Sequence, residues 1–350
     1  MSLVRSDLEY DLPDSLIARE PARPRDSARM LVLDRSTQAM EHRRVSEIGE
    51  YLNPEDLLCL NNTSVLPARL RGTRADTGGR VEGLFLEATG DGWLVMLKSN
   101  GTLRPGQEVT LQGPGSARGK VTLLDREDAC WLVLPSDETR LESVGHTPVP
   151  PYILRARGGE EIRDSSDRDW YRTIYEDPAE AGSVAAPTAG FHFTEGLLQS
   201  LQEGGVDQVS VTLHVGAGTF LPIQAEDLAE HTMHEESWSI SSEALAALEA
   251  CKASSAGRVI AVGTTTVRLL ESLPVSLPTE AMAGRTGLMI APPYDFAHVD
   301  GLLTNFHLPC STLLALVAAM TGLESLKSAY AEAVEERYRF YSYGDAMLIL

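Results

Sequence analysis

RVIAVGTTTVRLLES, Arg258 to Ser272, is the stretch on which the reading of the fold turns. Its apolar, β-branched run stops at Gly263, which reads as a buried strand. Three threonines then make a turn, and a helix follows through Leu273. Working upstream, Ser242 with Glu243 opens a helix whose Leu245 and Leu248 share a face, and Gly257 closes it. Before that, Thr194 caps a helix that Gly204-Gly205 ends, and DQVSVTLHVG follows as a strand. Downstream, Ser311 caps an apolar helix, and Leu323, Leu326, Tyr330 and Val334 mark an amphipathic one. Strand–helix alternation of this kind predicts an α/β layer architecture. The N-terminal part joins it with the strand MLVLDR, a short helix ending near Leu52 and the strand DLLCLNN.

Between Pro67 and Pro150 the texture changes. ARLRGTR, GRVEGLFLEAT, GWLVMLKS, EVTLQ, GKVTLLD and ACWLVLP alternate apolar and polar residues between Gly and Pro turns. Six such runs predict a small antiparallel barrel. The expected fold is therefore mixed α/β (α+β). A large α/β domain takes residues 1–65 and 151–350, and an inserted six-stranded barrel takes residues 66–150.

With 350 residues, 43% of them hydrophobic, the chain is long enough for two cores without disulfides or metals as substitutes. Its longest apolar run, Leu313 to Met320, is far short of a membrane span. Arg5, Asp7 and Glu9 break the pattern of a signal peptide. Cys59, Cys130, Cys251 and Cys310 are scattered, as reduced thiols of a cytoplasmic protein would be.

The net charge is -20, unevenly placed. Residues 1–74 hold 11 Arg against 12 acids, whereas Thr173 to Cys251 hold 13 acids and no Lys or Arg. An acidic surface repels phosphate backbones. Only four of the 30 basic residues are Lys, however, and acid excess with scarce Lys also fits adaptation to salt.

Four loops depart from what packing asks for. SVAAPTAGFHFTEG (Ser183 to Gly196) sets Thr188 and His192 on a small-residue turn before a helix; a packed core imidazole is the competing reading of His192. LHVGAGTF (Leu213 to Phe220) places His214 before the glycines Gly216 and Gly218. In EHTMHEESW, His231 and His234 would share one face of a helix beside Glu235 and Glu236, a spacing suited to an acid/base pair or a metal. The segment lacks a third ligand and the H-E-x-x-H pattern, so no metal is expected. Finally, AVGTTTVRLLES and TNFHLPCSTLLALV bring Thr264, Thr265, Thr266, Asn305, His307 and Ser311 between strands and helices. That crevice is where open α/β sheets bind small ligands. Imidazoles in an acidic pocket suit a cationic substrate that must lose a proton. Neither a P-loop nor a dinucleotide fingerprint occurs.

Taken together, YDLPDSLIAREPARPRDSARMLVLDR, VLPARL, VPPYI, GSVAAPTAGFHFT, HVGAGTF, HTMHEE, AVGTTTVRLLES, DGLLTNFHLPCSTLLALV and YRFYSYGDAMLIL resemble the S-adenosylmethionine:tRNA ribosyltransferase-isomerase family of queuosine biosynthesis. These segments run in family order from Tyr10 to Leu350. The resemblance implies an α/β domain with a small barrel. It also implies transfer and isomerisation of the ribosyl part of S-adenosylmethionine onto the aminomethyl group of a 7-deazaguanine in tRNA. Epoxyqueuosine forms; adenine and methionine leave. On this reading His192, His214, His231, His234 and Glu236 are the catalytic candidates. Thr188, Gly216, Gly218, Thr264, Thr265, Thr266, Asn305, His307 and Ser311 are candidates to hold S-adenosylmethionine, used as substrate.

The chain departs from the pattern at Ser64, Leu221 and Cys310, where basic residues are expected. A relative with a small-molecule acceptor is therefore an open alternative, as is a metal-dependent hydrolase built on His231 and His234. A tRNA partner is expected to dock on Arg19, Arg23, Arg25, Arg29, Arg69, Arg71 and Arg74. No membrane partner is expected, and the protein is expected to be a monomer.

Overall fold

The computed structural model describes residues 3–158, 164–216 and 225–350. After three short 3-10 turns the chain lays down β1 (Arg29–Leu33), β2 (Met40–Arg44) and, past the 3-10 segment Val45–Glu50, β3 (Leu57–Asn61). A short β4 (Ser64–Val65) leads to β5 (Arg69–Arg74), β6 (Arg80–Thr89), β7 (Gly92–Ser99), β8 (Glu108–Gln112), β9 (Arg118–Glu127) and β10 (Cys130–Pro135). The remainder adds β11 (Ala181–Ser183), β12 (Asp207–Leu213), β13 (Glu236–Ile240), β14 (Val259–Val262), β15 (Met282–Thr286), β16 (Gly301–Asn305) and β17 (Ala346–Ile349).

Nine strands form one sheet in the order β15-β13-β12-β3-β14-β16-β17-β1-β2. Its middle, β12, β3, β14 and β16, is parallel. Every residue of β3, β14 and β16 is buried, as a parallel sheet covered on both faces requires. Successive side chains point to opposite faces, so Leu57, Cys59, Val259, Ala261 and Leu302 enter one core while Leu58, Leu60, Ile260, Val262 and Leu303 enter the other. The helices Ser242–Ala253, Thr264–Leu270, Thr312–Thr321 and Leu323–Glu335 cover the first core. Glu195–Glu203 and Val45–Glu50 cover the second.

The helix ends follow local chemistry. The Thr194 hydroxyl accepts from Leu197 N–H at 3.2 Å, and the Ser311 hydroxyl from Leu314 N–H at 3.2 Å. Two boundaries differ from the sequence reading. The helix that Ser242 opens, with Ser241 as its cap, ends at Ala253 rather than near Gly257. Ser254 Oγ accepts from the N–H groups of Ala256 and Gly257, which turns the chain out of the helix early. Likewise the helix after β14 ends at Leu270, before Leu273.

The six expected barrel strands all form. They close in the order β10-β7-β6-β5-β8-β9, antiparallel throughout, so the sheet has no open edge. Leu70, Val81, Phe85, Val95, Val109, Leu123, Trp131 and Val133 fill it. The chain enters and leaves side by side, where Arg69 and His146 exchange backbone hydrogen bonds of 3.0 and 2.8 Å. Among the described residues no helix is long and apolar enough to cross a membrane.

Candidate functional site

Because β12, β3, β14 and β16 run parallel, their carboxyl ends lie along one edge of the sheet. There the apolar strands give way to polar residues: Asn61 closes β3, His214 follows β12, Gly263-Thr264-Thr265 follow β14, and Asn305 to His307 close and follow β16. Small ligands bind along such an edge in open α/β sheets. Gly263 has φ +90°, a conformation that admits the turn directly off the strand.

The Asn61 amide ties two of these strand ends together. Its Nδ2 donates to Leu213 O at 3.0 Å and to Thr265 Oγ1 at 3.3 Å, while its Oδ1 accepts from the N–H groups of Leu213 and Thr63. Thr63 Oγ1 lies 2.8 Å from His214 Nδ1 and 2.8 Å from Ser183 Oγ, and Val215 N–H donates to Ser183 Oγ at 2.8 Å. His214 is half-buried, and burial lowers its pKa below the ordinary imidazole value while Glu180 opposes that shift. A Cβ on Gly182 would stand 2.8 Å from His214 Nδ1, so only glycine lets the backbone lie this close to the ring.

His192 and His307 are different. Both are buried, and burial lowers them to about 4 and about 3 respectively. Asn305 Oδ1 accepts from Thr188 Oγ1 at 3.1 Å, so its Nδ2 faces His192 Nε2 at 3.1 Å and donates also to Tyr341 O at 3.2 Å. His192 Nε2 is therefore an acceptor, and the ring proton sits on Nδ1. His307 Nε2 meets Thr304 Oγ1 at 2.8 Å; its backbone N–H donates to the Tyr330 hydroxyl and its carbonyl accepts from the Tyr10 hydroxyl. These two imidazoles hold the strand end in shape.

Glu236 opens β13 and is buried. Its Oε1 accepts from Gly216 N–H at 3.0 Å and its Oε2 from Arg268 Nη1 at 2.5 Å. Arg268 Nε donates to Leu288 O, and its buried Nη2 has no partner among the described residues. A charge pair this deep is held by mutual attraction against a large desolvation penalty.

Other candidates sit elsewhere. His231 and His234 lie on a loop after the 3-10 turn Leu228–Glu230, not on a helix, so the helical reading of their spacing of three does not apply. Strand β13 begins directly after the segment, at Glu236, and its pairing with β12 and β15 leaves no room for a helix to continue there. Among the described residues no three His, Cys, Asp or Glu side chains gather as a metal-binding group. Thr266 Oγ1 donates to the carbonyl of Val262, the last residue of β14, and Thr264 is buried at the turn. Ser311 uses its hydroxyl in capping and in a bond to Leu308 O. Gly218 and Leu221 lie outside the described residues. Ser64 pairs with Ala181 in the β4–β11 ribbon, and Cys310 holds a left-handed φ of 54° with its N–H on Leu8 O.

The acid-rich section does not form a uniformly acidic pocket. Nine of its acids are exposed, and the buried one, Glu236, is balanced by Arg268. The Arg-rich lead is also partly committed. Arg25 donates to the carbonyls of Arg172 and Asp169, and Arg29 pairs with Asp345 over the Tyr338 ring. Arg19 and Arg23 remain exposed. Sequence reasoning missed Asn61, Thr63, Ser183 and Arg268 as site residues. The signals were a polar LNNT run directly after a buried strand and one Arg inside the apolar VRLL.

The comparisons with known proteins show the family and the fold. A family model described as queuosine biosynthesis protein matches residues 5–349. The chain is 48% identical to the S-adenosylmethionine:tRNA ribosyltransferase-isomerase of Acidithiobacillus ferrooxidans, covering 99% of this chain and 97% of that one. It is 44% identical to the protein of that name from Thermotoga petrophila, covering 99% of both. A solved structure of the S-adenosylmethionine tRNA ribosyltransferase of Thermotoga maritima superposes with a TM-score of 0.56 at 35% identity, over 98% of this chain and 100% of that one.

Proposed function

Because the chain belongs to the queuosine biosynthesis protein family, we infer that it is an S-adenosylmethionine:tRNA ribosyltransferase-isomerase. It transfers and isomerises the ribosyl part of S-adenosylmethionine onto the aminomethyl group of 7-aminomethyl-7-deazaguanine in tRNA. The products are epoxyqueuosine-tRNA, adenine and methionine.

The observation that carries the site assignment is the convergence of Asn61, His214, Thr265, Asn305 and the Glu236–Arg268 pair on one sheet edge. The chemistry begins with a proton on the carbon beside a sulfonium, which the adjacent positive sulfur makes acidic. A neutral imidazole is the group to take it. His214 is our choice. Its Nδ1 is anchored on Thr63, whereas its Nε2 has no partner among the described residues. His192 already spends its Nε2 lone pair on Asn305, and His307 is buried against Thr304. Thr188, Gly216, Thr264, Thr265 and Asn305 line the edge where S-adenosylmethionine would be held. The Glu236 carboxylate keeps the Gly216 backbone in place while Arg268 neutralises it.

For the acceptor, exposed Arg19 and Arg23 are the best placed of the Arg-rich lead to meet tRNA phosphates. Binding should weaken steeply with salt. A monomer is the working unit in this reading, and a tRNA substrate supports the cytoplasm as its place. The test is to incubate the protein with S-adenosylmethionine, with and without tRNA bearing the aminomethyl deazaguanine. Adenine, methionine and the modified nucleoside are then followed by mass spectrometry. All three are expected with tRNA. No adenine in either arm would sink the proposal, and adenine without any nucleoside product would move the acceptor to a small molecule.

A further inference from the structure

Among the described residues, the hydroxyls around His214 form a closed set whose proton directions can be worked out. Ser183 Oγ has two contacts among the described residues: Val215 N–H, which donates to it, and Thr63 Oγ1 at 2.8 Å. Its own proton therefore goes to Thr63. Thr63 Oγ1 has two further neighbours, His214 Nδ1 at 2.8 Å and the carbonyl of Glu180 at 3.4 Å. A carbonyl only accepts, so it takes the Thr63 proton. Thr63 is left with two lone pairs and two donors to fill them, Ser183 Oγ–H and His214 Nδ1–H. This assignment makes every contact a hydrogen bond. With the proton on Nε2 instead, Thr63 would turn to Nδ1 and abandon Glu180 O, leaving one of its own lone pairs unused.

We propose that Thr63, aligned by Ser183 and the Glu180 carbonyl, is a positioning residue that fixes His214 as the Nδ1–H tautomer and so leaves the Nε2 lone pair to accept the substrate proton. This rests on His214 being the base. Gly182 supports the arrangement: its α-carbon face lies against the imidazole, and an added Cβ would come 2.8–2.9 Å from three ring atoms, so the ring cannot swing toward that side. In the step itself, the C–H bond beside the sulfonium breaks, its electron pair stays on carbon, and the proton forms a new bond to Nε2. The resulting imidazolium keeps Nδ1–H on Thr63, so no hydrogen bond has to reverse as charge appears. Glu180, half-buried nearby, is the charged group that favours the imidazolium.

The test reads the tautomer directly. Protein labelled with 15N-histidine is studied by long-range proton–nitrogen correlation at a pH where His214 is neutral, its signals identified by their loss in His214→Asn. Wild type should show protonated Nδ1 and bare Nε2. Thr63→Val, close in shape but without the hydroxyl, should populate the Nε2–H form and lower adenine release about 10- to 100-fold with little change in KM for S-adenosylmethionine. Thr63→Ser should restore both the tautomer and the rate. Should Thr63→Val fold poorly, Ser183→Ala takes its place, with the same shift expected in milder form. A wild-type Nε2–H tautomer, or a Thr63→Val spectrum identical to wild type, overturns the proposal. Full activity in His214→Asn with the expected tautomer would instead refute His214 as the base and leave the hydrogen-bond assignment standing.

Discussion

The barrel and the carboxyl edge of the large sheet are both well buried, yet they bury opposite chemistry. The barrel strands bury only apolar side chains and Gly72. The edge buries Asn61, Thr63, Ser183, His192, Glu236, Arg268, Asn305 and His307. A buried polar group left without a partner costs about 1–3 kcal/mol, so a fold keeps such groups only where their partners are built in. At the edge they are: nearly every one is bonded across elements that are distant in sequence. The barrel is optimised for closure, the edge for the placement of donors and acceptors.

The largest expected effect separates the two regions by rate. His214→Asn should lower adenine release roughly 10²- to 10⁴-fold, the usual worth of a general base, with an unchanged melting temperature. A matching loss of stability would mean that His214 is simply part of the packing and would blur the contrast.

Next in size is Arg268→Met, which leaves the Glu236 carboxylate buried without its cation and should cost about 3–5 kcal/mol in chemical denaturation. Adding Glu236→Gln should recover much of that. If the double variant is no better than the single, the pair's electrostatics are not what holds the edge. In the barrel, Leu123→Ala should cost about 2–5 kcal/mol through the cavity it opens, while kcat of the folded protein is retained. A drop in kcat at full folding would show that the barrel shapes the chemistry.

Acid should find the edge and not the barrel, whose strands hold no histidine. His192 and His307 are lowered by burial from the ordinary 6.5 to about 4 and about 3. Their contribution is fully present above pH 6.5. As pH falls from there toward the lowered values, the unfolded chain takes up protons that the folded chain refuses, and stability drops. Each group adds up to about 1.4 kcal/mol per pH unit inside that window. Urea titrations at pH 7 and pH 5 measure it, and His307→Gln should flatten the slope. Smallest is Ser311→Ala, expected to cost about 1 kcal/mol as a lost helix cap, with no change in KM for S-adenosylmethionine. A raised KM would give that hydroxyl a ligand role as well.

Much of the architecture was readable along the chain. The barrel runs alternate with a period of two, so each of the six announced itself. VIAV and LLCL are continuous apolar runs, the mark of strands covered on both faces. The flanking strands were not readable. MEHRR at β2 carries three charged residues and an imidazole among five, and is a strand because β1 offers it an edge. Of the site, His214, Asn305 and Glu236 stood out by residue type and loop context. Thr63 and Ser183 did not, because a hydroxyl in a turn looks the same whether it caps, turns or orients a base. The helical spacing of His231 and His234 misled for the converse reason: it carries information only on a helix, and their segment is a loop.

By itself, then, the order of residues determined the six barrel strands, the central strands of the large sheet, its main helices, and which family the chain resembles, since these depend on periodicity and short motifs. Which imidazole is available, and which tautomer it holds, was decided only in three dimensions. His192, His214 and His307 are the same residue in similar loops. What separates them is one partner each, Asn305, Thr63 and Thr304; the first two come from more than a hundred residues away, Thr63 through the parallel pairing of β3 with β12.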